Sequence, residues 1–179
     1  MRTRSLADRS RRRLLRRSAV IAAGAAAAAL VPLSAIMAAP AQPGERVAWP
    51  TVTLLDGRTW GPRQAEGRAV VVVFWSLTCP YCLRHNTHLG KLQASVHGLP
   101  LEILTAVRER DADATRRHLA RHGHRFPVTL DERPLAAALS MRRISPLTVT
   151  VARDGRLRQV IPGEMFEDDV MGLARLAQE

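Results

Sequence analysis

"VVVVFWSLTCPYCLRH", residues Val70 to His85, holds both cysteines of the chain, Cys79 and Cys82. The run from Ala69 to Trp75 is apolar and valine-rich without polar alternation, the pattern of a strand buried on both faces. Pro80 follows Cys79 directly, and proline is favoured at the first position of a helix. From there Leu83, Leu89, Leu92 and Val96 recur at three- and four-residue spacings until Gly98 and Pro100 end the pattern. The stretch therefore reads as strand, short loop and helix, with the two cysteines at the helix start.

Three chemistries compete for such a pair. A structural disulfide across so short a loop removes little unfolded-state entropy, roughly 2 kcal/mol by the chain-entropy formula. A metal clip has a tempting pattern, since Cys79, Cys82, His85 and His88 follow C-x2-C-x2-H-x2-H. On one helix, however, Cys79 and His88 are separated by about 13 Å of rise and point in nearly opposite directions. Zinc needs four donors in a tetrahedron at roughly 2.0–2.3 Å, which one straight helix cannot supply. A soft Cu(I) ion bound by the two thiolates, with His85 nearby, stays open, and a copper carrier is the competing class of function.

The redox reading uses the whole context. A sulfur at the start of a helix faces unpaired N–H groups and the positive end of the helix dipole, which favour the thiolate. The thiolate is the form that attacks a disulfide, and a second cysteine one turn on can displace the product. CxxC after a buried strand and opening a helix is the setting of a thiol–disulfide exchange site.

Around this stretch the chain reads as one α/β domain. Val52 to Leu55 and a return near Thr59, joined by Asp56-Gly57, give a hairpin. Leu101 to Val107 is a second buried strand. Asp111 or Asp113 caps a helix that runs to His122 and stops at Gly123. A short strand near Val128 to Leu130, a helix from Pro134 to Leu139, and strands Thr148 to Ala152 and Leu157 to Ile161 about an Asp154-Gly155 turn come next. A helix from Phe166 to Ala177 closes the chain. Helices between the first strands and a hairpin after them predict a mixed sheet flanked by helices.

The N-terminus is of another kind. Met1 to Arg17 carries eight arginines against one acid, Asp8, and removing its charge from the net +11 of the chain leaves about +4. The basic balance belongs largely to this tail, and the remaining arginines lie among acids without interleaved aromatics, so nucleic-acid binding has no support. Ser18 to Ala41 is uncharged and alanine-rich and ends in Ala39-Pro40-Ala41, the pattern of an export signal. "SRRRLLR", Ser10 to Arg16, resembles the twin-arginine signal, which exports folded domains. The same segment is long enough to span a bilayer, for which roughly 20 apolar residues suffice. Residues 1–41 are thus a cleaved signal or a membrane anchor, residues 42–48 a linker and residues 49–179 the domain, placed in the periplasm or otherwise outside the cytoplasm.

From Trp49 to Gln178 the chain resembles the thioredoxin superfamily, and within it the exported TlpA/ResA-like thiol–disulfide oxidoreductases. "VVVVFWSLTCPYC", "FPVTLDERPLAAAL" and "RRISPLTVTVARDGRL" carry the resemblance. It implies a thioredoxin-like fold in which Cys79 is the nucleophile and Cys82 the resolving thiol. Pro146 would be a cis-proline facing the dithiol, and Ser145 would offer backbone to the substrate. Trp75, Pro80 and Tyr81 would pack around the site. No cofactor beyond the redox-active Cys79–Cys82 pair is implied. The partners would be protein thiol or disulfide clients and an upstream membrane electron donor, with reduction, as in cytochrome c maturation, the commoner direction.

Three positions depart from the pattern. Thr78 stands where the family commonly has an aromatic. Val73 replaces the buried aspartate of thioredoxin. His85 occupies the place of a glutamate found in ResA-like members, where a group titrating near neutrality would tune a thiolate. The dipeptide Pro80-Tyr81 resembles that of glutaredoxins. The cluster His118, His122 and His124 has no neighbouring carboxylate or cysteine and reads as solvated surface.

Overall fold

The computed structural model describes residues 40–139 and 143–179. The signal or anchor expected over residues 1–41 lies outside the described residues except for Pro40 and Ala41. Among the described residues no helix is long and apolar enough to cross a membrane.

The chain is built around one strand, β3 (Ala69–Trp75), all seven residues of which are buried. Successive side chains of a strand point to opposite faces. Ala69, Val71, Val73 and Trp75 thus enter one core, and Val70, Val72 and Phe74 the other. Ahead of it lie β1 (Val52–Thr53), β2 (Thr59–Trp60) and the short α1 (Pro62–Ala65). After it come α2 (Pro80–Ser95), β4 (Leu101–Val107), α3 (Ala112–His122), β5 (Val128–Thr129) and α4 (Glu132–Leu139). The hairpin β6 (Leu147–Val151) and β7 (Leu157–Pro162), α5 (Glu167–Gly172) and a closing 3-10 helix (Leu173–Gln178) complete the domain.

The five-stranded sheet has the order β5-β4-β3-β6-β7, with β3, β4 and β5 parallel and β6 and β7 antiparallel to their neighbours. Leu89 and Leu92 of α2, Val170 of α5 and Leu173 and Leu176 of the closing helix cover one face. Leu135 and Leu139 of α4 cover the other. Register then decides where the loops meet. Trp75 pairs with Val107 at the C-terminal ends of two parallel strands, and Phe74 pairs with Leu147 at the start of β6. The loops after β3 and β4 and the loop before β6 therefore share one end of the sheet.

The mixed sheet, the hairpins and the caps follow the sequence. Asp111 accepts a hydrogen bond from the Ala114 N–H, and Gly123 ends α3 with φ +68°, a conformation that favours glycine. Three points differ. The closing helix is split, α-helical to Gly172 and 3-10 beyond it. Next, α4 begins at Glu132, so Pro134 falls in its first turn, where a missing N–H has no intrahelical partner to lose. The short α1, only four residues long, gave no periodic signal.

Residues 42–48, expected as a linker, are instead bonded to the domain. Ala41 N–H donates to Ala138 O, Gly44 N–H to Leu157 O and Val47 N–H to Gly155 O, while Leu157 N–H donates to Glu45 O. Ala41 and Val47 are buried against the second face. Val47→Ala is expected to lower the unfolding free energy by roughly 1–2 kcal/mol, at about 0.8 kcal/mol per buried methylene. Urea denaturation reads this directly, and an unchanged midpoint would show that the segment contributes nothing.

Candidate active site

Cys79 is the N-cap of α2, with extended φ and ψ of −90° and 112°, and Pro80 occupies the first helical position. Its Sγ accepts the Cys82 backbone N–H at 3.2 Å. A sulfur thus fills the role that a serine or aspartate oxygen usually has at a helix start. Negative charge on it would face both this donor and the positive end of the helix. Cys79 is partly exposed and Cys82 fully buried, and both are free thiols. Burial, then the hydrogen bond with Cys79, pushes the Cys82 thiol up to about 12, against a backbone hydrogen bond at Ser76 and the charge of Arg108.

Across from the dithiol lies the loop before β6, where the Ser145–Pro146 peptide is cis. The Cys79 thiol donates to Ser145 O at 3.6 Å, a long contact for which sulfur's size allows. Cys79, Ser145 and Pro146, widely separated in sequence, are therefore brought together.

Two residues that sequence reading missed hold the arrangement. Ser76 Oγ and the Leu77 N–H both donate to the Glu109 carboxylate, which fixes the loop entering Cys79. Arg108 Nη2 donates to Ile144 O at 2.8 Å, which fixes the opposite loop. Both follow β4 directly, and the Arg108 N–H donates to Trp75 O. Their signal was positional: opposite charges immediately after a buried parallel strand, at the sheet end where such folds bind ligands.

The other expected residues lie as follows. Trp75 is fully buried in the core of the first face, its ring centroid 5.4 Å from that of His118. Pro80 and Tyr81 are exposed at the helix start, and the Arg84 guanidinium sits 5.0 Å from the Tyr81 ring centre. Arg84 also grips Glu164 with two bonds of 2.8 and 2.6 Å.

His85 departs from its expectation as a group titrating near neutrality. It is fully buried, and burial first, then the nearby His88, lowers its pKa to about 4. Nδ1 accepts the Met165 N–H at 3.2 Å, which leaves the ring proton on Nε2, 3.1 Å from Thr148 Oγ1. Neutral His85 is a crosslink between α2, β6 and the segment before α5. The reading of His118, His122 and His124 as solvated surface also needs correction. Their ring centroids lie 4.6 to 6.4 Å apart, and His124 is buried, stacked on Phe126, with its pKa lowered to about 4 by burial and its two histidine neighbours. The turn at Gly123 folds His124 back under the helix, which a helical wheel could not show. Among the described residues no three His, Cys, Asp or Glu side chains are placed to hold a metal ion.

This fold and this dithiol define a thiol–disulfide oxidoreductase with a thioredoxin-like fold. Residues 42–175 match the family model described as Redoxin, and the chain belongs to that family. Thiol-disulfide oxidoreductase ResA of Halalkalibacterium halodurans is 29% identical over 131 residues, covering 73% of this chain and 74% of that one. The ResA of Bacillus anthracis is 22% identical over 121 residues, covering 68% and 70%. Among solved structures, a secreted Mycobacterium tuberculosis disulfide oxidoreductase homologous to Escherichia coli DsbE superposes with a TM-score of 0.60 at 20% identity, covering 72% of this chain and 95% of that one. A secreted thiol-disulfide isomerase of Corynebacterium glutamicum gives 0.67 at 17% identity, covering 74% and 86%. These two share the fold.

Two outcomes follow from the site. Iodoacetamide at neutral pH is expected to modify Cys79 at least tenfold faster than Cys82, followed by mass spectrometry of the native protein. Equal labelling would contradict the burial of Cys82. The second concerns acid. The native pKa of His85, about 4, lies below its ordinary 6.5, so between these values the unfolded chain binds more protons. Stability is therefore full above pH 6.5 and falls as pH drops toward 4, by at most about 3 kcal/mol from this residue. Urea unfolding at pH 7 and pH 4.5 should show that loss, and His85→Gln should reduce it to the part that His124, also lowered to about 4, contributes over the same range.

Proposed function

We propose that this protein is an exported thiol–disulfide reductase that works on protein disulfides, with Cys79 as nucleophile and Cys82 as resolving thiol. The observation that carries the reading is the asymmetry of the pair: one sulfur partly exposed at a helix start and facing the Ser145 carbonyl, the other buried one turn on.

In the reductive direction the Cys79 thiolate attacks one sulfur of the client disulfide. The client S–S bond breaks, its second sulfur leaves as a thiolate, and a mixed disulfide joins Cys79 to the client. The client backbone lies along Ser145 and Pro146 while this happens. Cys82 then gives up its proton to the departing client sulfur and attacks Cys79 Sγ. The mixed disulfide breaks and the client leaves with two thiols. The client thiolate released first takes up from solvent the proton that Cys79 lost on ionising. Two electrons and two protons in all have thus passed to the client, and the Cys79–Cys82 pair is oxidised. No bound cofactor enters this sequence.

The raised pKa of Cys82 suits a resolving thiol, which stays protonated until the mixed disulfide forms beside it. The pair would then be recharged by a dithiol partner that brings electrons across the membrane. The arginine-rich, alanine-rich N-terminus supports an extracytoplasmic address by cleaved signal or by anchor, and the likeness to ResA, named a thiol-disulfide oxidoreductase, supports disulfide exchange with protein clients.

Cys82→Ser should accumulate a covalent mixed disulfide with a client, visible on non-reducing gels, while Cys79→Ser should lose exchange altogether. Equilibration of the wild-type pair against thiol buffers is expected to give a potential of about −250 mV or lower. A value near about −120 mV would make the protein a disulfide donor and overturn the assigned direction. Full activity in Cys79→Ser would overturn the site.

A further inference from the structure

The loop that carries Ser145 also forms one wall of a groove of about 560 Å³, lined by Arg108, Arg110, Arg133 and Arg143. Its two carboxylates are Asp131 and Glu132. Asp131 Oδ2 is already bonded to the Thr53 N–H at 2.8 Å. Glu109, between two of the arginines, turns its carboxylate to Ser76 and Leu77 instead. Among the described residues none of the four guanidinium groups is ion-paired, and Arg108 Nε is buried with no partner.

The groove is continuous with the dithiol. Arg108 holds Ile144 O, Ile144 precedes Ser145, and Ser145 O lies 3.6 Å from Cys79 Sγ. Arg143 is two residues from Ser145, about 7 Å along an extended chain. A client strand laid along this loop by backbone pairing would carry a side chain two positions from its cysteine to the mouth of the groove. Exposed Ile144 and Tyr81 would give that strand apolar contact at the rim.

We infer that this arginine groove binds an acidic stretch of the client protein, next to the client cysteine joined to Cys79, and so selects clients with Asp or Glu beside their reactive cysteine. The inference rests on the thiol–disulfide reading and names its substrate class. Charge complementarity at such a rim acts mainly on the rate of encounter and falls with salt.

The test uses peptides whose single cysteine is held as a mixed disulfide with thionitrobenzoate. Attack by Cys79 joins the peptide sulfur to the protein and expels thionitrobenzoate, whose absorbance gives the second-order rate. Four peptides carry Glu, Lys or Ala two positions from the cysteine, or Glu at the far terminus. At low salt the near-Glu peptide is expected to react about fivefold faster than the near-Lys peptide, a ratio that should approach one near 0.5 M salt. In the exposed-site variants Arg143→Gln and Arg110→Gln the same ratio should fall toward one. A ratio near one in the wild-type protein, an unchanged ratio in both variants, or an equal advantage for the far-terminal Glu would overturn the groove as the binding site. If the neutral peptide also failed to react, the thiol–disulfide reading itself would fall, and the groove assignment with it.

Discussion

The structure depends on the complete burial of β3. Seven residues without exposed surface must fill two cores at once, and the valines at 70 to 73 can do this because they are small enough to pack on both faces of a pleat. A strand so constrained has one register with its neighbours, since a shift of one residue would exchange its two faces. That register fixes where Trp75 ends, and Cys79 begins the helix four residues later. The position of the sulfur is thus a consequence of packing far from it.

The second constraint is at the other side of the site. The two residues just after β4, Arg108 and Glu109, are bonded one to the loop before Ser145 and the other to the loop before Cys79. Adjacent residues at the end of one strand thereby set the spacing between Cys79 and Ser145. The site has little freedom to open without breaking a hydrogen bond that involves a charged group, a stronger kind than a neutral pair.

Much of this was legible in the sequence, for physical reasons. The strand–loop–helix around the cysteines could be read because its apolar run, its proline and its helical spacing all agree locally. Pro146 could be placed only by family resemblance, since nothing in a single chain ties it to a residue 67 positions earlier. His85 was misjudged because its environment is made by Thr148 and the Met165 N–H, both supplied by distant strands and loops. His124 was misjudged because one left-handed glycine reverses the chain just before it. Residues 42–48 carry no strand pattern, as they pair with the hairpin at isolated points such as the Arg46–Arg156 bridge.

That pairing has a consequence for orientation. Val47 is bonded to Gly155, in the turn between β6 and β7, and β6 starts beside Phe74 at the dithiol end and finishes beside Val70. The turn therefore lies at the far end of a seven-residue strand, about 20 Å from the cysteines. Residues 44–47 therefore meet the hairpin at the end of the sheet opposite the cysteines, and that pairing lies away from the reactive sulfur.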